Sequence, residues 1–62
     1  MFRVIDRIVG EEIICKNQYS ALVEAERRIS IHQAGYSVRR IHIPPIACHL
    51  ETDGEDYIIC LD

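Results

Sequence analysis

The sequence predicts an α+β domain of order β-β-α-β-β-β, a mostly antiparallel sheet with one helix packed on one face. Three observations lead there. Only the stretch from Ser20 to Tyr36 repeats its apolar residues at a helical period. Gly10-Glu11 and Asp53-Gly54 each stand between two alternating runs, as the turns of β-hairpins do. A composition that is 48% hydrophobic, rich in Ile and Val and without Trp, is too apolar for a disordered chain and suits a β-rich core.

The first hairpin joins Phe2–Val9 to Glu12–Lys16. Gly at the first central position suits a two-residue type II′ turn over Gly10-Glu11, which pairs Val9 with Glu12. Side chains alternate across a strand, so Phe2, Val4, Ile8, Ile13 and Cys15 share the core face, with Asp6 its only polar member. Arg3, Arg7, Glu12 and Lys16 take the other face together with Ile5, Val9 and Ile14, which stay in water unless something covers them. Ile5, Val9 and Ile14 are therefore candidates for a homodimer contact.

The helix is expected to start at Ser20, whose hydroxyl can accept from a first-turn N–H, with Glu24 adding negative charge near the positive end of the dipole. Gly35 is the stop signal, with Tyr36 folding back on Ile31, which leaves about four turns. Leu22, Ala25 and Ile29, flanked by Ala21 and His32, form the stripe that lies on the sheet. Glu24 and Arg28 make an i,i+4 ion pair in the favourable order. Val23, Arg27 and Ile31 lie opposite.

Tyr36–Ile43 reads as a third strand whose alternation changes phase at Arg39-Arg40, where a bulge would reconcile Val38 with Ile41 and Ile43. Pro44-Pro45 removes two backbone donors and ends that strand or confines it to an edge. Beyond it, Ile46–Glu51 and Glu55–Leu61 flank Asp53-Gly54, the preferred pair for a type I′ turn. That turn aligns Leu50 with Tyr57, Cys48 with Ile59 and Ile46 with Leu61, all on one face.

Sixty-two residues form one domain, and a chain this short buries only roughly 60% of the surface it exposes unfolded. No apolar run approaches the roughly 20 residues of a membrane span, and the N-terminus alternates charged with aliphatic residues, so a cytoplasmic protein is expected. Cys15, Cys48 and Cys60 are an odd set without framework spacing and read as reduced, packed thiols. The net charge of −3 is asymmetric: residues 1–40 carry seven basic and five acidic groups, residues 41–62 five acidic groups and no Lys or Arg. Such asymmetry bears on partners rather than on fold.

No constellation for catalysis emerges. Cys48 and His49 are neighbours on a strand, so their side chains diverge and cannot form a nucleophile–base dyad. His49 and Cys60 could meet diagonally across the second hairpin, but the close-spaced CxxC or HxxxH pairs that build a closed zinc site are missing, so no metal or other cofactor is expected. The acidic run around Gly54 is too short for a calcium loop of the EF-hand kind. Arg3, Arg7 and Lys16 share a sheet face that Arg39 and Arg40 could extend, which gives a nucleic-acid strand a path and a small nucleic-acid-binding regulator as the alternative function. Against that reading stand the net acidity and the lack of aromatics interleaved with the basic groups.

From Ser20 onward, Ser20-x-x-x-Glu24-Ala25-Glu26 followed by Ala34-Gly35-Tyr36-x-Val38-x-Arg40 resembles the helix-to-strand passage of small bacteriophage host-takeover proteins, among them an inhibitor of the host RNA polymerase. The likeness covers about a third of the chain. It implies a phage- or mobile-element-encoded inhibitor that binds a host protein or nucleoprotein complex in the host cytoplasm, a class that includes anti-CRISPR proteins. The matching residues are structural, so no contact residue carries over, and the Pro-Pro segment and the acidic last hairpin depart from the polymerase inhibitor. The residues themselves nominate a non-enzymatic binding surface in the acidic hairpin, Glu51, Asp53, Glu55 and Asp56, with the outward Val23 and Ile31.

Overall fold

A computed structural model describes residues 1–34 and 46–62. The third expected strand, Tyr36–Ile43, and with it Gly35, Arg39, Arg40 and Pro44-Pro45, lie outside the described residues. The described elements run β1 (Phe2–Asp6), β2 (Glu11–Cys15), α1 (Gln18–Gln33), β3 (Cys48–Asp53) and β4 (Asp56–Leu61). They form an α+β layer pair with strand order β2-β1-β4-β3. The β1–β2 and β3–β4 pairs are antiparallel, and the two hairpins meet through a parallel β1–β4 ladder that sets Val4 beside Tyr57 and Ile5 beside Ile58.

Both hairpins close in registers other than the expected ones, and the residues that remain on strands keep the expected faces. In the first, Glu12 pairs with Ile5 rather than Val9, a slide of four residues. The connection is the four-residue turn 7–10 rather than a type II′ pair, because the Asp6 carboxylate accepts the N–H groups of Ile8 at 3.0 Å and Val9 at 3.3 Å. The N–H of Gly10 then donates to the Asp6 carbonyl at 2.8 Å, with Gly10 at φ 77°, a conformation open to Gly without strain. In the second hairpin Leu50 pairs with Ile59 rather than Tyr57, a slide of two, so the turn is Gly54-Glu55 with Gly54 at φ 61°. Side chains alternate with period two, so an even slide leaves every residue that stays on a strand on its own face, while Val9, expected on the open face, passes into the turn. Val4, Cys15, Tyr57 and Ile59 accordingly lie buried against Ala21 and Ala25 of the helix, with Phe2, Ile13, Leu22, Ile29 and Leu50 packed around them.

The helix is capped three residues before Ser20. Asn17, extended at φ −145°, accepts the Ser20 N–H through Oδ1 at 2.8 Å. Asn caps as well as Ser does, and the earlier start gives the helix Gln18, whose amide donates to the hydroxyl of the buried Tyr57 at 2.9 Å. The Glu24–Arg28 pair forms as expected, at 3.0 Å. Ala21 and Ala25 are fully buried, their methyl groups packed in the core cluster with Val4, Cys15, Tyr57 and Ile59.

Asp6 is the polar side chain of this core, 1% exposed. Its Oδ2 accepts from Arg28 Nη1 at 3.1 Å and from His32 Nε2 at 2.9 Å. An ionised carboxylate can only accept, so His32 carries its hydrogen on Nε2. Arg28 also reaches Glu11 on β2 at 2.9 Å, joining three elements through one guanidinium. Burial pushes the Asp6 carboxyl up, but His32, Arg28 and the two turn N–H groups outweigh it and hold the group below its ordinary value.

Two outcomes follow. Removing one partner of a buried, hydrogen-bonded charge cluster costs about 3–5 kcal/mol. At roughly 0.05–0.15 kcal/mol per residue the whole domain has only about 3–9 kcal/mol. Asp6→Ala therefore loses most of the stability in a urea titration, whereas Asn17→Ala, which removes one cap, loses about 1 kcal/mol. The pH dependence has a definite sign. A carboxyl with a depressed folded-state pKa stabilises above its unfolded value of 3.8 and loses that contribution as pH falls from there through the folded value, so the melting temperature drops below about pH 4. In Asp6→Ala that part of the acid slope is missing.

Candidate functional site

Two surfaces of the layer pair carry the candidate residues, and they lie on opposite sides. The first is the outer face of α1. Tyr19, Val23, Arg27 and Ile31 follow one another at four-residue intervals, a stripe that winds along the side of the helix away from the sheet. Its apolar members stay wet: Tyr19 is 77%, Val23 47% and Ile31 41% exposed, and Val9 of the β1–β2 turn, 54% exposed, stands across a shallow groove from Ile31. Arg27, Arg28, Glu11 and His32 line the same groove, with Asp6 at its base. Glu24 holds both arginines, Arg27 at 2.7 Å and Arg28 at 3.0 Å, and its carboxyl lies below the ordinary range for that reason. The groove is thus an apolar rim over a saturated ion-pair network.

The second surface is the sheet face turned away from the helix. Reading across the strands in register, Ile14, Arg3, Asp56 and Asp53 form one row and Glu12, Ile5, Ile58 and Glu51 the next. Arg3 is held on both sides, by Asp56 through two bonds at 2.9 and 2.7 Å and by Glu12 at 3.0 Å. The guanidinium keeps the Asp56 carboxyl below its usual range. The N-terminal amine meets Glu55 at 2.7 Å. Ile58 is buried and Ile5 half-buried on this face, while Ile14 is exposed.

Beyond those rows lies a third group that the expected register only grazed. His49 and Cys60 are directly opposite, not diagonal, because β4 has slid by two residues. His49 Nε2 lies 3.4 Å from Cys60 Sγ and 3.0 Å from Glu51 Oε1, and its Nδ1 lies 2.7 Å from Asp62 Oδ1. The hydrogen bond to Glu51 is the largest influence on His49 and raises its pKa above the ordinary value; burial opposes it, and Asp62 adds to the rise. Burial and the Glu51 carboxylate raise the Cys60 thiol, with Arg7 acting in the opposite sense. Three potential ligand atoms, from His49, Glu51 and Cys60, lie within 4.8 Å of one another.

Several residues singled out by sequence fall where their side chains are already engaged. Of the acidic hairpin, Asp56 belongs to the Arg3 fork, Glu55 to the terminal amine and Glu51 to His49. That set does not share a surface with Val23 and Ile31, which lie on the helix side. Among the basic residues Arg3 is bound to two carboxylates, Lys16 is exposed just past β2, and Arg7 leaves β1 beside Glu51 and Cys60. Of the proposed dimer residues Ile5 and Ile14 share the open sheet face, but Val9 belongs to the turn and borders the helix groove.

Tyr19 was invisible to a helix begun at Ser20, although its place four residues before Val23 marks it. Cys48 and His49 point to opposite faces as expected, Cys48 being buried near the Ile29 carbonyl. All three cysteines are free thiols. Among the described residues no helix is long and apolar enough to cross a membrane. Comparisons of the chain with protein-family models, with curated protein sequences and with solved structures find no match.

Proposed function

We propose that this chain is a non-catalytic binding protein that docks a partner protein against the outer stripe of α1. The observation that carries the reading is the run Tyr19, Val23 and Ile31, exposed on one side of the helix and extended by Val9 from the adjoining turn. Covering one such aliphatic side chain is worth roughly 1.5–3 kcal/mol, and an exposed Tyr adds a rigid anchor with a polar tip. Contiguous apolar stripes bounded by charge are the usual form of helix-face recognition. The helical passage that resembles small phage inhibitors is the same element that carries the stripe. On that resemblance the partner is a protein or nucleoprotein complex of a bacterial host, met in its cytoplasm, with polymerase or anti-CRISPR-type inhibition as the consequence.

Direct nucleic-acid binding through Arg3, Arg7 and Lys16 has less support, since the Arg3 guanidinium is already held by Asp56 and Glu12. The two readings separate in one experiment. Immobilised wild-type chain and the double variant Val23→Asp/Ile31→Asp are exposed to bacterial lysate, with circular dichroism confirming that both are folded. A protein retained by wild type and lost, at least tenfold, by the variant is expected. Retention of that protein by the variant, or retention of nucleic acid alone with an affinity that falls steeply with log salt concentration, contradicts the proposal. Sedimentation of the free chain identifies the case in which the retained protein is a second copy.

A further inference from the structure

The His49–Glu51–Cys60 group lies on the sheet face opposite the helix stripe and takes no part in the docking reading. Its geometry is set by rigid backbone. His49 and Glu51 are two residues apart on β3 and so share a face, while Cys60 faces His49 across the antiparallel pair, where Cβ atoms stand roughly 4.5–5.5 Å apart. The side chains converge from three corners on one point. With zinc bond lengths of about 2.0–2.3 Å, tetrahedral coordination separates a nitrogen from an oxygen ligand by about 3.4 Å and a nitrogen from a sulfur ligand by about 3.6 Å. The corresponding separations here are 3.0 Å and 3.4 Å. Small rotations of two side chains would bring the set to coordinating distances.

We propose that His49 Nε2, Glu51 Oε1 and Cys60 Sγ form a three-ligand site for a divalent zinc ion, with the fourth position open to water or to a donor from a partner. One imidazole, one carboxylate and one thiolate suit a borderline-soft cation of tetrahedral habit, and fit neither magnesium nor calcium, which take oxygen ligands. Asp62 plays the supporting part: it accepts from His49 Nδ1 at 2.7 Å and so leaves the Nε2 lone pair for the metal. The charges close as well. The Cys60 thiolate with Glu51 and Asp62 contributes three negative charges, and zinc with the neighbouring Arg7 contributes three positive ones. Without the metal both ring nitrogens of His49 face carboxylates, Nε2 that of Glu51 and Nδ1 that of Asp62. Binding displaces the Cys60 thiol proton and, where present, the His49 Nε2 proton, both to solvent. Affinity therefore rises with pH while these two groups titrate among Glu51, Asp62 and Arg7.

The test uses the whole reduced chain and cobalt(II) as the probe. Titration is expected to give one cobalt per chain, a thiolate-to-cobalt charge-transfer band in the near ultraviolet and intense four-coordinate visible bands, all displaced by zinc. Cys60→Ser removes the charge-transfer band and weakens zinc binding at least tenfold, and Asp62→Asn weakens it by about ten- to a hundredfold. An unaltered readout keeps the test independent of how the variants fold. In wild-type chain labelled with ¹⁵N, zinc shifts His49 Nε2 and leaves His32 Nε2, which is bonded to Asp6, in place. A folded chain with no charge-transfer band at millimolar cobalt overturns the proposal. So does an unmoved His49 Nε2 resonance, or Cys60→Ser binding zinc as tightly as wild type.

Discussion

The carboxylate of Asp6 is the constraint on which the described structure depends. One oxygen closes the β1–β2 turn by accepting the N–H groups of Ile8 and Val9, and the other receives Arg28 and His32 from the helix. A side chain on the core face of the first strand thus determines how the first hairpin ends and how the helix sits across the sheet. Such a group is costly to bury, and it is tolerated because four donors meet it. Arg28 spreads the same attachment to Glu11 and Glu24, so β1, β2 and α1 share one ion-pair network. The second hairpin joins this unit through the parallel β1–β4 ladder and through the Tyr57 hydroxyl, held by Gln18 of the helix.

The same carboxylate shapes the surface. By turning the chain at residues 7–10 it lifts Val9 out of the sheet face and sets it across from Ile31, extending the apolar stripe of the helix past its own edge. A tight two-residue turn would have left Val9 on a strand, pointing away from the helix. Stability and the exposed apolar stripe are therefore coupled through one residue. The far face of the sheet behaves differently: there Arg3, Asp56 and Glu12 saturate one another, and Glu51, Cys60 and Asp62 gather around His49 at the other end of β3 and β4.

What the sequence made legible follows from periodicity, and what it hid follows from distance along the chain. Face partition was readable because alternation survives any even slide of one strand on another, so Val4, Cys15, Tyr57 and Ile59 were core residues in either register. Register was not readable, because the Asx-type turn at Asp6 prevailed over the glycine rule for a two-residue loop. Asp6 itself stood out as the single polar residue on the core face, but its partners lie 22 and 26 positions away, beyond any local pattern. The helix stripe was visible from Val23 and Ile31, and Tyr19 was lost because the helix was taken to start at Ser20, whereas Asn17 caps it three residues earlier. The meeting of His49 with Cys60 depended on the register of the second hairpin, and the parallel pairing of β1 with β4 on contacts more than fifty residues apart, such as Arg3 with Asp56.

The direct measurement of the central claim is the titration of Asp6 in the folded chain, followed by the ¹³C resonance of its carboxyl carbon. An ionised carboxylate held by Arg28, His32 and two backbone donors titrates with a midpoint below 3.8, and the amide protons of Ile8 and Val9 move with the same midpoint. A midpoint at or above 3.8, or Ile8 and Val9 amides indifferent to the Asp6 titration, would contradict the account.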